Sequence, residues 1–199
     1  RLSRRQVLAL FGAVALSGCA TSPVGGGSIL VGMSEDEEKD VDRKVAPEQF
    51  SQDLGAVQDS QLNGYLSEVG HRLDARTHRP QMHYSYRVLN DNYVNAYTFP
   101  GSAMGVTRGI LVDLDNEAEL AAVLAHEIGH VTAGHHNRQQ AASVANKVVA
   151  VTTYVVTGSG DLANASNMYG TELVSGYGRE MELEADGLGD KERALFGNL

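Results

Sequence analysis

His126 and His130 stand four residues apart with Glu127 beside the first, in the stretch His126-Glu127-Ile128-Gly129-His130. That spacing has chemical use only on a helix, where residues i and i+4 share a face and two imidazoles converge on one metal ion. The flanking residues agree with a helix. Asn116 with Glu119 three positions on matches a capping pattern, and Leu120, Val123, Leu124 and Ile128 repeat at helical period as an apolar stripe. Gly129 is the one weak helix former among the five. The chain must therefore build a helix that buries one face and presents two rings and a carboxylate on another, the geometry of metal-assisted hydrolysis.

A catalytic zinc takes three protein ligands and leaves a fourth position open, so a third donor has to come from elsewhere. Two residues compete for it. Glu182 lies in Arg179-Glu180-Met181-Glu182-Leu183-Glu184-Ala185-Asp186. If that stretch is helical, Asp186 shares a face with Glu182 and can accept a hydrogen bond from a liganding ring, with His126 the expected donor. His136, six residues past His130, has the spacing of a different zinc-peptidase pattern, but Ala133 stands where that pattern needs glycine to break the helix. Glu182 is favoured, which leaves His135 and His136 exposed or beside the ligands. His71, His78 and His83 are scattered and read as surface or core residues, a poor basis for metal buffering.

Upstream, Ser34 and Glu37 form a capping box ahead of a charged helix to about Gln52. Leu62, Tyr65, Leu66, Val69 and Leu73 then mark a second, amphipathic helix. From His83 the period changes to two: Tyr84, Tyr86 and Val88 alternate, Asn90-Asp91-Asn92 turns, Val94 to Phe99 is extended, and Gly105 to Val112 reads as another strand. The expected fold class is α+β: a mainly helical domain with a small antiparallel sheet packed on the H-E-x-x-H helix. Val148 to Val156 reads as a core helix, being far short of the ~20 apolar residues of a membrane span.

The first residues read as an address. Arg4 and Arg5 precede an apolar run, Val7 to Leu16, ending in Leu16-Ser17-Gly18-Cys19, which resembles a bacterial lipobox with Cys19 as the acylated residue. Ser3-Arg4-Arg5-Gln6-Val7-Leu8 also resembles a twin-arginine export signal. The organisation expected is a lipoprotein signal peptide over 1–18, a flexible Gly-rich tether over 19–33, and a peptidase domain over 34–199. Two or more acyl chains anchor stably, so Cys19 would hold the protein on a membrane without spanning it. Ala20 stands where an aspartate would resemble an inner-membrane retention signal, so the resemblance implies the outer membrane. Cys19 is the sole cysteine, so no intramolecular disulfide can form. The formal charge is −9, and removal of a segment holding Arg1, Arg4 and Arg5 would leave −12, which excludes nucleic acid as an expected partner.

Four ordered blocks carry a family resemblance: Asn95-Ala96-Tyr97-Thr98-Phe99-Pro100-Gly101; Val106-Thr107-Arg108-Gly109-Ile110-Leu111; Glu119-Leu120-Ala121 running into His126-Glu127-Ile128-Gly129-His130; and Glu182-x-x-Ala185-Asp186. Over roughly residues 60 to 187 the chain resembles the HtpX and CAAX-prenyl-endopeptidase-like zinc metallopeptidases, a gluzincin family, and with a lipobox in front it is similar to their periplasmic lipoprotein branch. The resemblance implies zinc, one per chain, on His126, His130 and Glu182, and Glu127 as general base. It also implies an edge strand at Asn95 and Ala96 that pairs with substrate backbone, and unfolded or misassembled envelope proteins as substrates. Two departures stand out. Gly178 replaces the usual Ser before Arg179, and Gly187-Leu188-Gly189-Asp190-Lys191-Glu192-Arg193 is glycine-rich and charged where the family's helix continues with apolar residues. Arg179 and Tyr177 are candidates for stabilising an oxyanion. A reading from another class is a polypeptide-binding assembly factor whose zinc only stabilises the fold; Glu127 weighs against it, because a structural zinc has no use for a base.

Overall fold

The computed structural model describes residues 19–21, 28–30, 33–161, 164 and 177–194. The expected signal peptide, 1–18, lies outside them. The chain divides into two units, one drawn from Arg1–Met33 and Asn137–Gly178, the other from Ser34–His136 and Arg179–Leu199, so the expected 34–199 domain falls in both.

In the first unit, β1 (Cys19–Thr21) pairs antiparallel with β2 (Ser28–Leu30), so the expected tether contains two short paired strands. Most of helix α5 (His135–Thr157) also belongs here. Val149, Val151 and Tyr154 are exposed on it, which corrects the expectation of a core helix over that apolar run. Among the described residues no helix is long and apolar enough to cross a membrane.

The second unit is α+β and mainly helical, as its periodicities require. Helix α1 (Glu35–Gln52) starts at Ser34 with both halves of the capping box formed, and α2 (Ser60–Asp74) starts where the Asp59 carboxylate accepts from the main chain of Gln61 and Leu62. Three strands follow, β3 (Ser85–Leu89), β4 (Ala96–Thr98) and β5 (Ala103–Thr107), in the order β3-β5-β4. The sheet is mixed, which corrects the antiparallel expectation: β4 pairs antiparallel with β5, but β3 pairs with β5 in parallel, Tyr86 opposite Met104 and Val88 opposite Val106. Residues 90–102 separate β3 from β5, enough chain for the crossover a parallel pair needs. Asp42 of α1 clamps the turn between β4 and β5, accepting from the main-chain N–H of Gly101 and of Ala103, each at 2.7 Å.

The expected strand from Gly105 to Val112 stops at Thr107. There the Thr107 hydroxyl accepts from Ile110 N–H and caps a short helix, α3 (Arg108–Asp113). Helix α4 (Glu117–Thr132), which carries the His pair, starts at Asn116 with its side chain bonded to Glu119 N–H. Leu66, Val69 and Leu73 of α2, Tyr86 and Val88 of β3, and Met104 and Val106 of β5 form one buried cluster with Leu120, Leu124 and Ile128 of α4. Both ends of α4 are held. Tyr65 and Arg72 bond the Glu117 carboxylate at 2.9 and 3.0 Å, and buried Arg79, paired with Glu38, donates to the Val131 carbonyl at 3.0 Å. That carbonyl lies in the last turn of the helix and also accepts from Gly134 N–H at 3.1 Å.

Candidate active site

Helix α6 (Arg179–Ala194) lies along α4 and brings the acidic residues to the rings. The helix runs through Gly187 and Gly189 instead of ending there, with Leu188 3% exposed, so the glycine-rich segment is part of the packing. Two close approaches explain the glycines. A Cβ on Gly129 would lie 2.6 Å from the Ala185 carbonyl oxygen, and one on Gly189 would lie 2.9 Å from the Ala125 carbonyl carbon. Backbone therefore meets backbone at this crossing, and only glycine permits that separation. Replacing Gly129 by Ala forces the helices apart, because the obstacle is main chain and no side chain can swing away. The expected cost is about 1–3 kcal/mol, as for other overpacked cores. A thermal melt of the metal-free protein checks the loss of stability, and zinc titration should show weaker binding as Glu182 retreats.

At the crossing, His126 Nε2 and His130 Nε2 are 3.0 Å apart, and Glu182 Oε2 lies 3.4 Å from the first and 3.9 Å from the second. These three are the one group among the described residues whose donor atoms converge closely enough to hold a metal ion. A tetrahedral ion with bonds of about 2.0–2.1 Å sets neighbouring donors roughly 3.3 Å apart, close to what is seen. Two imidazoles and a carboxylate also suit zinc better than harder cations. The donor set fits the ion.

The other ring nitrogen of each histidine is occupied. His126 Nδ1 is 2.8 Å from Asp186 Oδ1, and His130 Nδ1 is 2.9 Å from His135 Nδ1. Burial first, then the neighbouring rings of His126, His135 and His136, lower His130 to about 3, so it stays neutral, as a ligand must be. Burial, then the Glu182 carboxylate, push Glu127 up to about 8. A divalent cation beside these groups favours the ionised carboxylates and neutral rings together.

His136 is not in the converging group. Its ring bonds the Thr98 main chain of β4, and burial and His135 lower it to about 4. His71, His78 and His83 are exposed, as is Arg179, the first residue of α6.

Strand β4 sits beside α4 at one edge of the sheet. Asn95 has no main-chain group to spare, since its N–H donates to Thr107 Oγ1 at 3.0 Å and its carbonyl accepts from Thr107 N at 3.0 Å. Antiparallel pairing alternates, so with Tyr97 opposite Gly105 and Phe99 N–H bonded to the Ala103 carbonyl, Ala96 and Thr98 turn their main-chain groups away from β5. Of the two residues expected to pair with substrate, Asn95 has its main chain bonded to Thr107, while the main-chain groups of Ala96 face away from β5. The contacts of His135, and of Glu184 with it, escaped the sequence reading. The signal available was a glycine, Gly134, just ahead of His135, whose φ of 65° ends α4 and turns the chain back.

A model of peptidase family M48 matches residues 60–194, from α2 to the end of α6. Among curated relatives, the beta-barrel assembly-enhancing protease of Yersinia pestis is 33% identical over 120 residues, 60% of this chain and 24% of that protein. The protein of the same name from Escherichia coli K12 is 28% identical over 144 residues, 67% of this chain and 29% of that one. The mitochondrial metalloendopeptidase OMA1 of Schizosaccharomyces pombe is 29% identical over 162 residues, 77% of this chain and 47% of that one. The match thus spans less than half the length of each. With the family model covering more than half of this sequence, the chain belongs to peptidase family M48 and carries a metalloendopeptidase domain of that family.

Proposed function

We propose that this chain is a zinc-dependent endopeptidase that cleaves misfolded or misassembled envelope proteins on the periplasmic side of a bacterial envelope. The observation that carries the reading is the convergence of His126 Nε2, His130 Nε2 and Glu182 Oε2 within 3.9 Å, with Glu127 next to the first ring on the same helix. When bound, zinc lowers the pKa of a coordinated water to about 7 and polarises a carbonyl. The rest falls to the chain's own groups. Glu127 takes the proton from the attacking water and returns it to the departing amine. Asp186 holds His126 by its Nδ1–H. An extended substrate adds to the outer edge of β4 through the main chain of Ala96, in the strand that Asn95 fixes, a mode that asks little of substrate sequence.

The names of the Yersinia and Escherichia relatives tie a protease to β-barrel assembly, which supports the choice of envelope proteins as substrates. We assign residues 1–18 as a lipoprotein signal peptide, 19–33 as the link to the anchor and 34–199 as the peptidase region, with lipid on Cys19 holding the protein at the outer membrane. Cys19→Ser is then expected to move the protein from the membrane fraction to the soluble fraction of the envelope, and unchanged sedimentation with membranes would refute the anchor. The activity is tested with unfolded casein: zinc-loaded protein cleaves it, a chelator stops cleavage, and added zinc restores it. Zinc-loaded protein that leaves casein intact contradicts the proposal.

A further inference from the structure

His130 and His126 are held in different ways. The ring of His126 meets Asp186 directly, whereas His130 meets a second imidazole, His135, whose far nitrogen Nε2 lies 3.1 Å from Glu184 Oε2. His135 is 0% exposed, and both of its nitrogens are engaged. We infer that His135 and Glu184 form a hydrogen-bonded chain that positions His130 and sets the affinity of the site for zinc. The inference rests on the zinc site proposed above.

The direction of each bond follows from the ligands. If His130 gives its Nε2 lone pair to the metal, its Nδ1 carries the proton and donates to His135 Nδ1. His135 must then carry its own proton on Nε2, which donates to the Glu184 carboxylate. Every group in the sequence Nε2, Nδ1–H, Nδ1, Nε2–H, Oε2 has one compatible role, and none is left as donor against donor. The charge at the end also matters. A carboxylate at the far nitrogen makes His135 a better acceptor, which in turn makes His130 a better electron donor, as an outer carboxylate does when it meets a ligand ring directly.

The fold supplies the chain at two points. Gly134 takes φ 65°, which ends α4 and returns His135 onto the His130 ring, centroids 4.9 Å apart. On α6, successive residues are ~100° apart, so Glu182 and Asp186 fall on one flank of buried Ala185 and Glu184 on the other. One helix thus supplies a ligand, the outer partner of one ring, and the anchor of the chain to the other ring.

The test measures zinc affinity of the full chain by competition with a chromophoric chelator, and the visible spectrum of the cobalt-substituted protein, in wild type, Asp186→Ala, Glu184→Ala, Glu184→Gln and His135→Gln. Glu184 is partly exposed, so Glu184→Ala leaves the core intact and keeps the test decisive if His135→Gln fails to fold. Loss of an outer partner costs about 10–100-fold in metal affinity. Glu184→Ala should fall in that range with a changed cobalt spectrum, while Glu184→Gln, which still accepts the N–H, recovers part of the loss. Wild-type affinity and spectrum in Glu184→Ala, alongside weakened binding in Asp186→Ala, would overturn the chain and leave the zinc site standing. A wild type that binds no zinc would overturn both.

Discussion

Glu127→Gln is expected to keep one zinc per chain while cleavage of an unfolded substrate falls by about 10²–10⁴-fold, the usual contribution of a positioned general base. The substitution preserves shape and removes only the capacity to take a proton. Zinc retention follows because the converging donors belong to His126, His130 and Glu182 and not to Glu127. Metal analysis together with single-turnover cleavage separates the two effects. The same variant divides the peptidase reading from that of a polypeptide-binding assembly factor: if only binding mattered, Glu127→Gln would function like wild type in cells lacking the gene, and the wild type would cleave nothing.

Glu182→Ala is expected to lose the metal. Removal of an outer partner costs 10–100-fold in affinity, and removal of a ligand should exceed the upper end of that range. The reason lies in the geometry, since two imidazoles 3.0 Å apart remain and no other acidic oxygen among the described residues completes the group. Bound metal stabilises the folded state by mass action, about 2.7 kcal/mol at a concentration one hundred times the dissociation constant. Wild type should therefore melt higher when zinc is added, and Glu182→Ala should not respond. His136→Ala should keep its zinc, because that ring is bonded to the Thr98 main chain of β4 and stands outside the ligand group. The opposite pair of results would transfer the third ligand to His136.

Much of this was legible because local chemistry and the final packing agree. The Ser34 and Asn116 caps, the apolar stripe of α4, and the four-residue spacing that puts Glu182 and Asp186 on one face of α6 all act within one or two turns of chain. What escaped depends on distant partners. The parallel pairing of β3 with β5 puts the strand nearest in sequence, β4, on the far side of β5, and no alternation in the residues records that. Val106-Thr107-Arg108-Gly109-Ile110-Leu111 reads as a strand until the Thr107 hydroxyl is seen capping α3. Gly189 reads as part of a departure from the family's apolar helix, yet it serves as a contact surface for the Ala125 backbone, a role visible only once α4 and α6 are in place. His135 and Glu184 stand 49 residues apart in the chain and meet through the Gly134 turn and the α4 and α6 crossing.

The most direct measurement is an anomalous difference map at the zinc edge from crystals of the zinc-loaded protein. The expected result is a single peak about 2.0–2.2 Å from His126 Nε2, His130 Nε2 and a Glu182 carboxylate oxygen. A peak held by His136, or one that Glu182 does not touch, would contradict it.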